Sequence, residues 1–351
     1  MANLIDYLNW RGDLPMECAP FNPVDGLILA WLASMPLSDP LPESVGAAAR
    51  RMMAGGLNGD ALEFARRLSD SPRFRDMPLS RFERRFSERE QMQFAAVTIL
   101  TGDGCAFIAY RGTDSTLVGW KEDLNLSFSD EVPAQREAVR YLNETDASLP
   151  LRVGGHSKGG NLAVYAAAKC APEVQKRIGT VYNFDGPGQS AETLASEGYR
   201  AVEARLETFL PGSSVVGILL ERTPRYHVVR AEGAGPMQHR PEAWQTVRDG
   251  FEMLDSLSWP SLYADRTLRD WLDSMNMDER ERFVGALYEI VGATQARTVQ
   301  EIGEDWQRSG WRMLKAFEGL DLRTRAMLFL SLGKLLRAAV RNLDGRAVDV
   351  V

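Results

Sequence analysis

Cysteine is scarce in this chain of 351 residues: there are three, and none of them stands in a C-x-x-C pair. They are Cys18, Cys105 and Cys170. Their wide spacing argues against a disulfide framework and against the common zinc sites, so we expect no metal. Few and scattered cysteines are also typical of a protein that works in a reducing compartment.

An excess of basic charge is also missing. The chain has 41 basic and 48 acidic residues, a formal net charge of -7, and neither end carries a basic run. We therefore expect no nucleic acid partner, because phosphate backbones are bound by clustered basic side chains. Nothing in the sequence indicates an oligomeric state.

Long hydrophobic runs are missing as well. Of the two most apolar stretches, 27–35 is too short to span a bilayer, and 327–340 is interrupted by Lys334 and Arg337. The first ten residues contain Asp6 and lack the basic and apolar regions of a secretory signal. These features predict a cytoplasmic protein without stable membrane insertion.

The patterning along the chain predicts three consecutive segments. Residues 1–92 show helical apolar spacing and form a helical N-terminal segment packed on the core. Over residues 93–258 strands alternate with helices, which predicts an α/β core with a mainly parallel sheet covered on both faces. The strand signals then stop, and residues 259–351 form a helical C-terminal cap or subdomain.

Local signals refine these segments. Asn22 followed by Pro23 predicts the start of a helix, and residues 73–90 have charged and apolar side chains at near-helical spacing. Two glycines at 101–104 predict the turn of a hairpin. Residues 241–254 are predicted to be helical.

Residues 154–160 read Gly-Gly-His-Ser-Lys-Gly-Gly, a G-x-S-x-G pattern. A short apolar strand precedes it, and an alanine-rich helix follows at 161–169. So sharp a turn from strand to helix forces the serine into unfavourable dihedrals and needs flanking residues without side chains, which Gly155 and Gly159 provide. The pattern predicts that Ser157 is a nucleophile; the alternative is a glycine-rich structural turn.

A serine nucleophile needs a base, and the chain has three histidines to supply it. His156 is adjacent to the serine, where packing under the turn is expected, and His227 lies within a predicted strand. His239 follows the last predicted strand, in the loop 232–240, where the base of a Ser-Asp-His hydrolase reaches the carboxyl end of the sheet. We therefore expect His239 to be the general base.

The chain order Ser, Asp, His then restricts the carboxylate to the residues between Ser157 and His239. Asp185 ends a predicted strand and should emerge at the same sheet edge as the serine, so we expect it to orient the base. The alternative is an Asx turn that shapes the loop.

Two donors are expected for the oxyanion of a tetrahedral intermediate. One is the backbone N–H of Lys158, and the other is Thr113, through its backbone and hydroxyl, in the loop after a predicted strand. Trp120 and Asp123 are expected to pack against and cap this loop.

These motifs resemble those of the fungal-type (class 3) lipases of the α/β-hydrolase superfamily. They are the serine turn, residues 107–113 and residues 120–124. The chain more closely resembles the Mbeg1-like family of bacterial lipase-like proteins, through residues 6–14, 119–123 and 238–239. The resemblance implies an α/β-hydrolase fold and a serine hydrolase that acts on a small-molecule ester or acyl substrate and needs no cofactor. It also places an oxyanion donor at Thr113 and the nucleophile at Ser157.

The chain departs from the class 3 pattern at two places. Class 3 lipases carry their acid after the next strand, where residues 209–216 here contain serines and no carboxylate. Either the acid has moved one strand earlier to Asp185, as in animal pancreatic-type lipases, or the triad is incomplete and the protein binds a ligand or partner without catalysis. Lys158 also replaces an apolar residue, which favours an anionic acyl substrate. Acyl transfer and amide hydrolysis remain alternatives for the same site.

Overall fold

The computed structural model describes residues 2–38, 43–114, 116–221, 225–296, 298, 301–302 and 305–344. They divide into two compact units. The core unit comprises Met1–Phe86, Phe94–Gly112 and Ala134–Ser261, and the helical unit comprises Ser87–Gln93, Thr113–Pro133 and Leu262–Val351.

The strands are β1 Glu43–Ser44, β2 Pro78–Ser87, β3 Met92–Leu100, β4 Ala106–Tyr110, β5 Leu151–His156, β6 Ile178–Phe184, β7 Leu206–Pro211, β8 His227–Val229, β9 Thr246–Val247, β10 Gly250–Phe251 and β11 Met253–Leu254. Nine of them form one sheet in the order β1-β2-β3-β4-β5-β6-β7-β8-β11, and β9 pairs with β10. Strands β4 to β8 are all parallel, whereas β3 joins β4 and β11 joins β8 in antiparallel pairs.

The helices of the core unit are α1 Leu4–Trp10, α2 Pro23–Ser34, α3 Val45–Ala54, α4 Gly59–Asp70, α6 Pro133–Asn143, α7 Lys158–Lys169, α8 Pro172–Gln175, α9 Ala191–Ala195 and α10 Glu197–Glu203. The helices of the helical unit are α5 Leu117–Asn125, α12 Met277–Gly292, α13 Trp306–Gly319 and α14 Leu322–Asp344, and α11 Trp259–Asp273 runs from one unit into the other. Within the described residues, no helix is both long and apolar enough to cross a bilayer.

Helices cover both faces of the sheet at β5, its central strand. Consecutive residues of a strand point to opposite faces. Gly154 faces Phe107 and Tyr182, the side on which Gly26 of α2 packs against Phe184 and Tyr182, whereas Gly155 faces α7. A mainly parallel sheet between two helical layers, with a strand-turn-helix at its centre, is the α/β-hydrolase fold, and it confirms the predicted fold class.

Two local predictions are confirmed. Helix α2 begins at Pro23, and the Asn22 side chain accepts the backbone N–H groups of Val24 and Asp25 in a capping box. The hairpin turn closes where it was expected, with the Thr101 N–H donating to the Cys105 carbonyl at 2.8 Å.

The helical prediction for residues 73–90 is wrong, because Pro78–Ser87 is strand β2. Its charged side chains pair with each other, as Arg81 does with Glu83, and also across to α6 and the residue after it, as Arg81 does with Glu144 at 2.6 Å. The Arg81 guanidinium also lies 4.1 Å from the Tyr141 ring centroid. Glu144 and Tyr141 are remote from Arg81 in sequence, so tertiary packing overrides the local spacing.

The helix predicted at 241–254 is also wrong. Pro241–Ala243 is one turn of 3₁₀ helix, and three strands of two residues each follow it. Trp244 and Phe251 are buried and pack edge to face, with ring centroids 5.4 Å apart. Trp244 lies before β9 and Phe251 lies in β10, and the seven-residue spacing between these two buried side chains resembles that of a helix.

A buried ion pair joins Arg73 to Asp25 of α2. Both side chains, Arg73 and Asp25, are fully buried, and Arg73 donates to the two Asp25 oxygens at 2.8 and 2.5 Å. Its remaining donors reach the carbonyls of Leu14, Ala19 and Pro20 at 2.8–3.0 Å. Every guanidinium N–H therefore has an acceptor, which such a buried charge requires.

Replacing Arg73 with methionine is expected to lower the free energy of unfolding by about 3–5 kcal/mol, because Asp25 would keep a buried and unpaired charge. Urea unfolding followed by circular dichroism measures this loss. Glu63→Gln, which breaks an exposed ion pair with Arg66, is the control and should move the urea midpoint little. Equal midpoints for the two variants would contradict the prediction.

Candidate active site

The turn at Ser157 is strained as the sequence predicts. Strand β5 ends at His156, α7 begins at Lys158, and Ser157 between them has φ 58° and ψ -135°. A Cβ on Gly155 would lie 2.3 Å from the Gly159 carbonyl oxygen, and one on Gly159 would lie 2.2 Å from the Tyr110 oxygen. Side chains at either glycine would therefore force the turn apart.

Asp185 lies next to this turn, at the end of β6. It too has a positive φ, of 50°, and its side chain is fully buried. The Ser157 N–H donates to the carbonyl of Phe184, the residue before Asp185, at 3.0 Å. Parallel pairing of β5 with β6 thus places the serine turn and the carboxylate at one sheet edge, as expected.

His239 comes to the same edge from the loop after β8. It ends the 3₁₀ helix Gly235–His239, and its Nδ1 lies 2.6 Å from Oδ2 of Asp185. The imidazole is 23% exposed while the carboxylate is completely buried. With an ionised carboxylate as the acceptor, Nδ1 carries the hydrogen, and Nε2 is left as the basic nitrogen.

The other oxygen of Asp185 is held by the loop after β7. Ser214 donates its hydroxyl to Oδ1 at 2.5 Å, and the N–H of Gly217 donates to it at 3.1 Å. A Cβ on Gly217 would lie 2.5 Å from that oxygen. The loop in which class 3 lipases carry their acid therefore supplies hydrogen-bond donors here. Sequence reasoning missed this role of Ser214, although serines without a carboxylate in that stretch were the signal.

Gln238 fixes the loop that carries His239. Its side-chain amide donates to the carbonyls of Ala231 and Gly233 at 2.9 and 3.0 Å, and its Oε1 accepts the Ser213 N–H at 2.6 Å. The indole N–H of Trp244 donates to the Gln238 carbonyl at 2.9 Å. These contacts bind the loop to the ends of β7 and β8.

His156 supports His239 from beneath. The two rings lie 4.5 Å apart between centroids, and Nε2 of His156 lies 2.7 Å from the His239 carbonyl oxygen. Burial, and secondarily the nearby His239, holds the pKa of His156 well below its ordinary value, so the ring is neutral. Since a carbonyl only accepts, Nε2 of His156 is the protonated nitrogen and donates.

The remaining predicted residues have other surroundings. His227 faces Glu207, with Nε2 2.9 Å from Oε2. Thr113 belongs to the helical unit, where its hydroxyl donates to Asp123 at 2.5 Å, while Trp120 is 51% exposed. Lys158 is completely buried, so its side chain presents no charge to solvent.

The loop after β4 passes close to the serine turn within the core unit. A Cβ on Gly112 would lie 2.8 Å from the His156 carbonyl oxygen and 3.2 Å from Cβ of Ser157. Glycine is needed at this position because the two backbones approach so closely. Thr113 is the next residue in the chain.

Comparison with known proteins decides the family. The family model described as Mbeg1-like matches residues 68–289. The chain belongs to the Mbeg1-like family. The predicted family is thereby confirmed. A search of curated proteins finds no match. Among solved structures, the crystal structure of M37 lipase is similar with a TM-score of 0.33 and 13% sequence identity, over 56% of this chain and 69% of that one.

In the described part of this Mbeg1-like protein, no group of three or more His, Cys, Asp or Glu side chains has an arrangement that could hold a metal ion.

Because His156 is neutral in the folded state, we expect the stability of the Mbeg1-like protein to depend on pH. The unfolded chain binds a proton at His156 near pH 6.5 and the folded chain does not, so this residue lowers stability as the pH falls below that value. His156→Phe should remove the effect. The difference in free energy of unfolding between the variant and the wild type should grow in favour of the variant by up to about 1.4 kcal/mol for each pH unit below pH 6.5.

Urea unfolding at pH 8 and pH 5 measures this difference, and His227→Phe is the control for the loss of one imidazole. A constant gap between wild type and His156→Phe at the two pH values would show that His156 is protonated equally in both states.

Proposed function

We propose that this protein is a serine hydrolase that cleaves a carboxylic ester. In this proposal Ser157 is the nucleophile, His239 the general base and Asp185 the acid that orients it. The observation that carries the proposal is the 2.6 Å contact between His239 and Asp185 at the sheet edge that also holds the strained serine turn. A histidine oriented by a buried carboxylate beside such a turn is the arrangement that activates a serine.

The proposed reaction has two steps. The Ser157 hydroxyl attacks the ester carbonyl carbon while its proton passes to Nε2 of His239, and that proton then moves to the leaving alcohol as the C–O bond breaks. Water next attacks the acyl-serine, gives a proton to His239, and releases the carboxylic acid as the proton returns to the serine oxygen. No redox agent or cofactor enters either step.

Backbone amides are proposed to stabilise the oxyanion. One proposed donor is the N–H of Lys158, the residue after Ser157 and the first residue of α7. The Thr113 hydroxyl donates to Asp123, so we assign the second donor to the Thr113 backbone amide. Because the Lys158 side chain is buried, we assign it no selection for anionic substrates.

Detection of the acyl-enzyme tests this proposal. The protein is mixed with p-nitrophenyl butyrate, quenched in acid and digested, and the peptide that contains Ser157 should gain the mass of a butyryl group. Added alcohol or amine distinguishes hydrolysis from acyl transfer by the products formed. A folded protein that neither releases p-nitrophenol nor reacts with a fluorophosphonate probe would instead be a noncatalytic binding protein.

A further inference from the structure

Helix α14 is buried along one face only. Leu328, Ser331 and Ala338 lie on this face with exposures of 6%, 3% and 5%. Other helical-unit residues bond to it: the Trp271 indole donates to the Ser331 carbonyl at 2.8 Å, and the Tyr263 hydroxyl donates to the Ala339 carbonyl at 2.9 Å. These contacts fix which face of α14 points inward.

The outward face is an apolar stripe, which we define by large side chains that recur about every seven residues. They are Leu322, Phe329, Leu336, Val340 and Leu343, with exposures of 77%, 64%, 67%, 59% and 46%. On a helix of 3.6 residues per turn these positions fall within a narrow sector. The stripe therefore runs the whole length of the helix.

Basic side chains accompany the stripe. Arg323, Arg337 and Arg341 are exposed and lie together along one side of it, because they are 14 and 18 residues apart. The whole helix has five basic residues and one acidic residue, in a chain whose formal net charge is -7. Arg341 also forms an ion pair with Asp270 at 2.6 Å, so the positive charge beside the exposed apolar face comes mainly from Arg323 and Arg337.

We propose that α14 docks the protein on an anionic lipid surface, lying flat with the apolar stripe in the boundary between headgroups and acyl chains. Exposed leucine, valine and phenylalanine on one face, with arginines at its border, is the composition of helices that lie in the plane of a membrane. The arginines meet lipid phosphates, and the stripe replaces contact with water by contact with acyl chains. The helix lies on the membrane and does not cross it.

Charge favours lipid over a second copy of the chain. The seven-residue spacing would also suit pairing with an identical helix. In such a pair the arginines that border each stripe would face a partner helix that is equally basic, and like charges beside an apolar seam oppose association. An anionic bilayer offers opposite charge along the same line.

Vesicle sedimentation of the full chain tests the proposal. The vesicles contain phosphatidylcholine alone or phosphatidylcholine with 30 mol% phosphatidylglycerol, at low salt and at 0.5 M NaCl. We expect binding to the anionic vesicles at low salt, at least tenfold weaker binding to the neutral ones, and a similar loss at high salt.

The double variant Phe329→Ser/Leu336→Ser should lose binding at least tenfold while its circular dichroism spectrum stays unchanged. Leu62→Ser removes an exposed leucine from α4 of the core unit and should bind like the wild type. Arg337→Glu should weaken binding to anionic vesicles only.

Three results would overturn the proposal. They are no sedimentation with either vesicle, equal binding to both, and a dimer in light scattering that the double variant converts to a monomer. Because vesicle binding requires no catalysis, Ser157→Ala should bind like the wild type, so failure of this proposal and failure of the hydrolase proposal are distinguishable.

Discussion

Ser157→Ala is expected to lower the rate of p-nitrophenyl ester hydrolysis by about 10⁴- to 10⁶-fold and to abolish labelling by a fluorophosphonate probe. The variant loses the oxygen that would form the acyl-enzyme, while His239 and Asp185 keep their contact. Steady-state kinetics under substrate saturation and in-gel fluorescence of the labelled protein measure the two effects.

The loss should not come from unfolding. Alanine keeps the Cβ of serine and adds no atom to the turn, although the positive φ is unfavourable for both residues, so thermal unfolding should remain cooperative. Ser148→Ala, at an exposed serine that bonds to Asp146, is the matched control and should retain full activity and labelling. Activity of Ser157→Ala within tenfold of wild type would rule out Ser157 as the nucleophile.

Asp185→Asn is expected to reduce turnover by about 10⁴-fold. In the wild type, Oδ1 of Asp185 accepts from Ser214 and Gly217, and Oδ2 faces Nδ1 of His239. An amide at this position would keep its oxygen on the two donors and turn its NH₂ group toward Nδ1. His239 would then carry its hydrogen on Nε2, the wrong tautomer to accept a proton from Ser157.

The same geometry predicts a smaller loss of turnover for a second variant, Ser214→Ala. Ser214→Ala removes one of two donors to Oδ1 and leaves the Gly217 N–H, so we expect a loss of only about tenfold, with KM little changed. Kinetics of both variants on one ester, beside their circular dichroism spectra, test the ranking. Near-wild-type turnover by Asp185→Asn would mean that His239 needs no carboxylate, and the assignment of the acid would fall.

The centre of the fold was predictable because its signals are local. The glycines around Ser157, the capping box at Asn22 and the hairpin at 101–104 each depend on residues close in sequence. Parallel strands then bring their carboxyl ends together without further information. Strand order together with the Ser, Asp, His chain order made the contact between Asp185 and His239 an expectation, beside the alternative that Asp185 only shapes its loop.

What the sequence could not indicate depends on remote partners. Strand β2 is defined by its neighbours in the sheet and by the pairing of Arg81 with Glu144. These contacts leave no periodic pattern in the local sequence. Likewise, the hydroxyl of Ser214 reaches Asp185 across 29 residues of sequence. Neutral His156, bonded to the carbonyl of His239, depends on a chain separation of 83 residues.

The order of strands β1 to β8 in the sheet, which is the order of the chain itself, has a consequence for synthesis on the ribosome. No strand must be inserted between two that are already paired, because each new strand pairs with the strand translated just before it. Ser157, Asp185 and His239 emerge in that sequence. His239 is made last, so under the proposed function a nascent chain with its serine turn lacks the base until the loop after β8 has been translated.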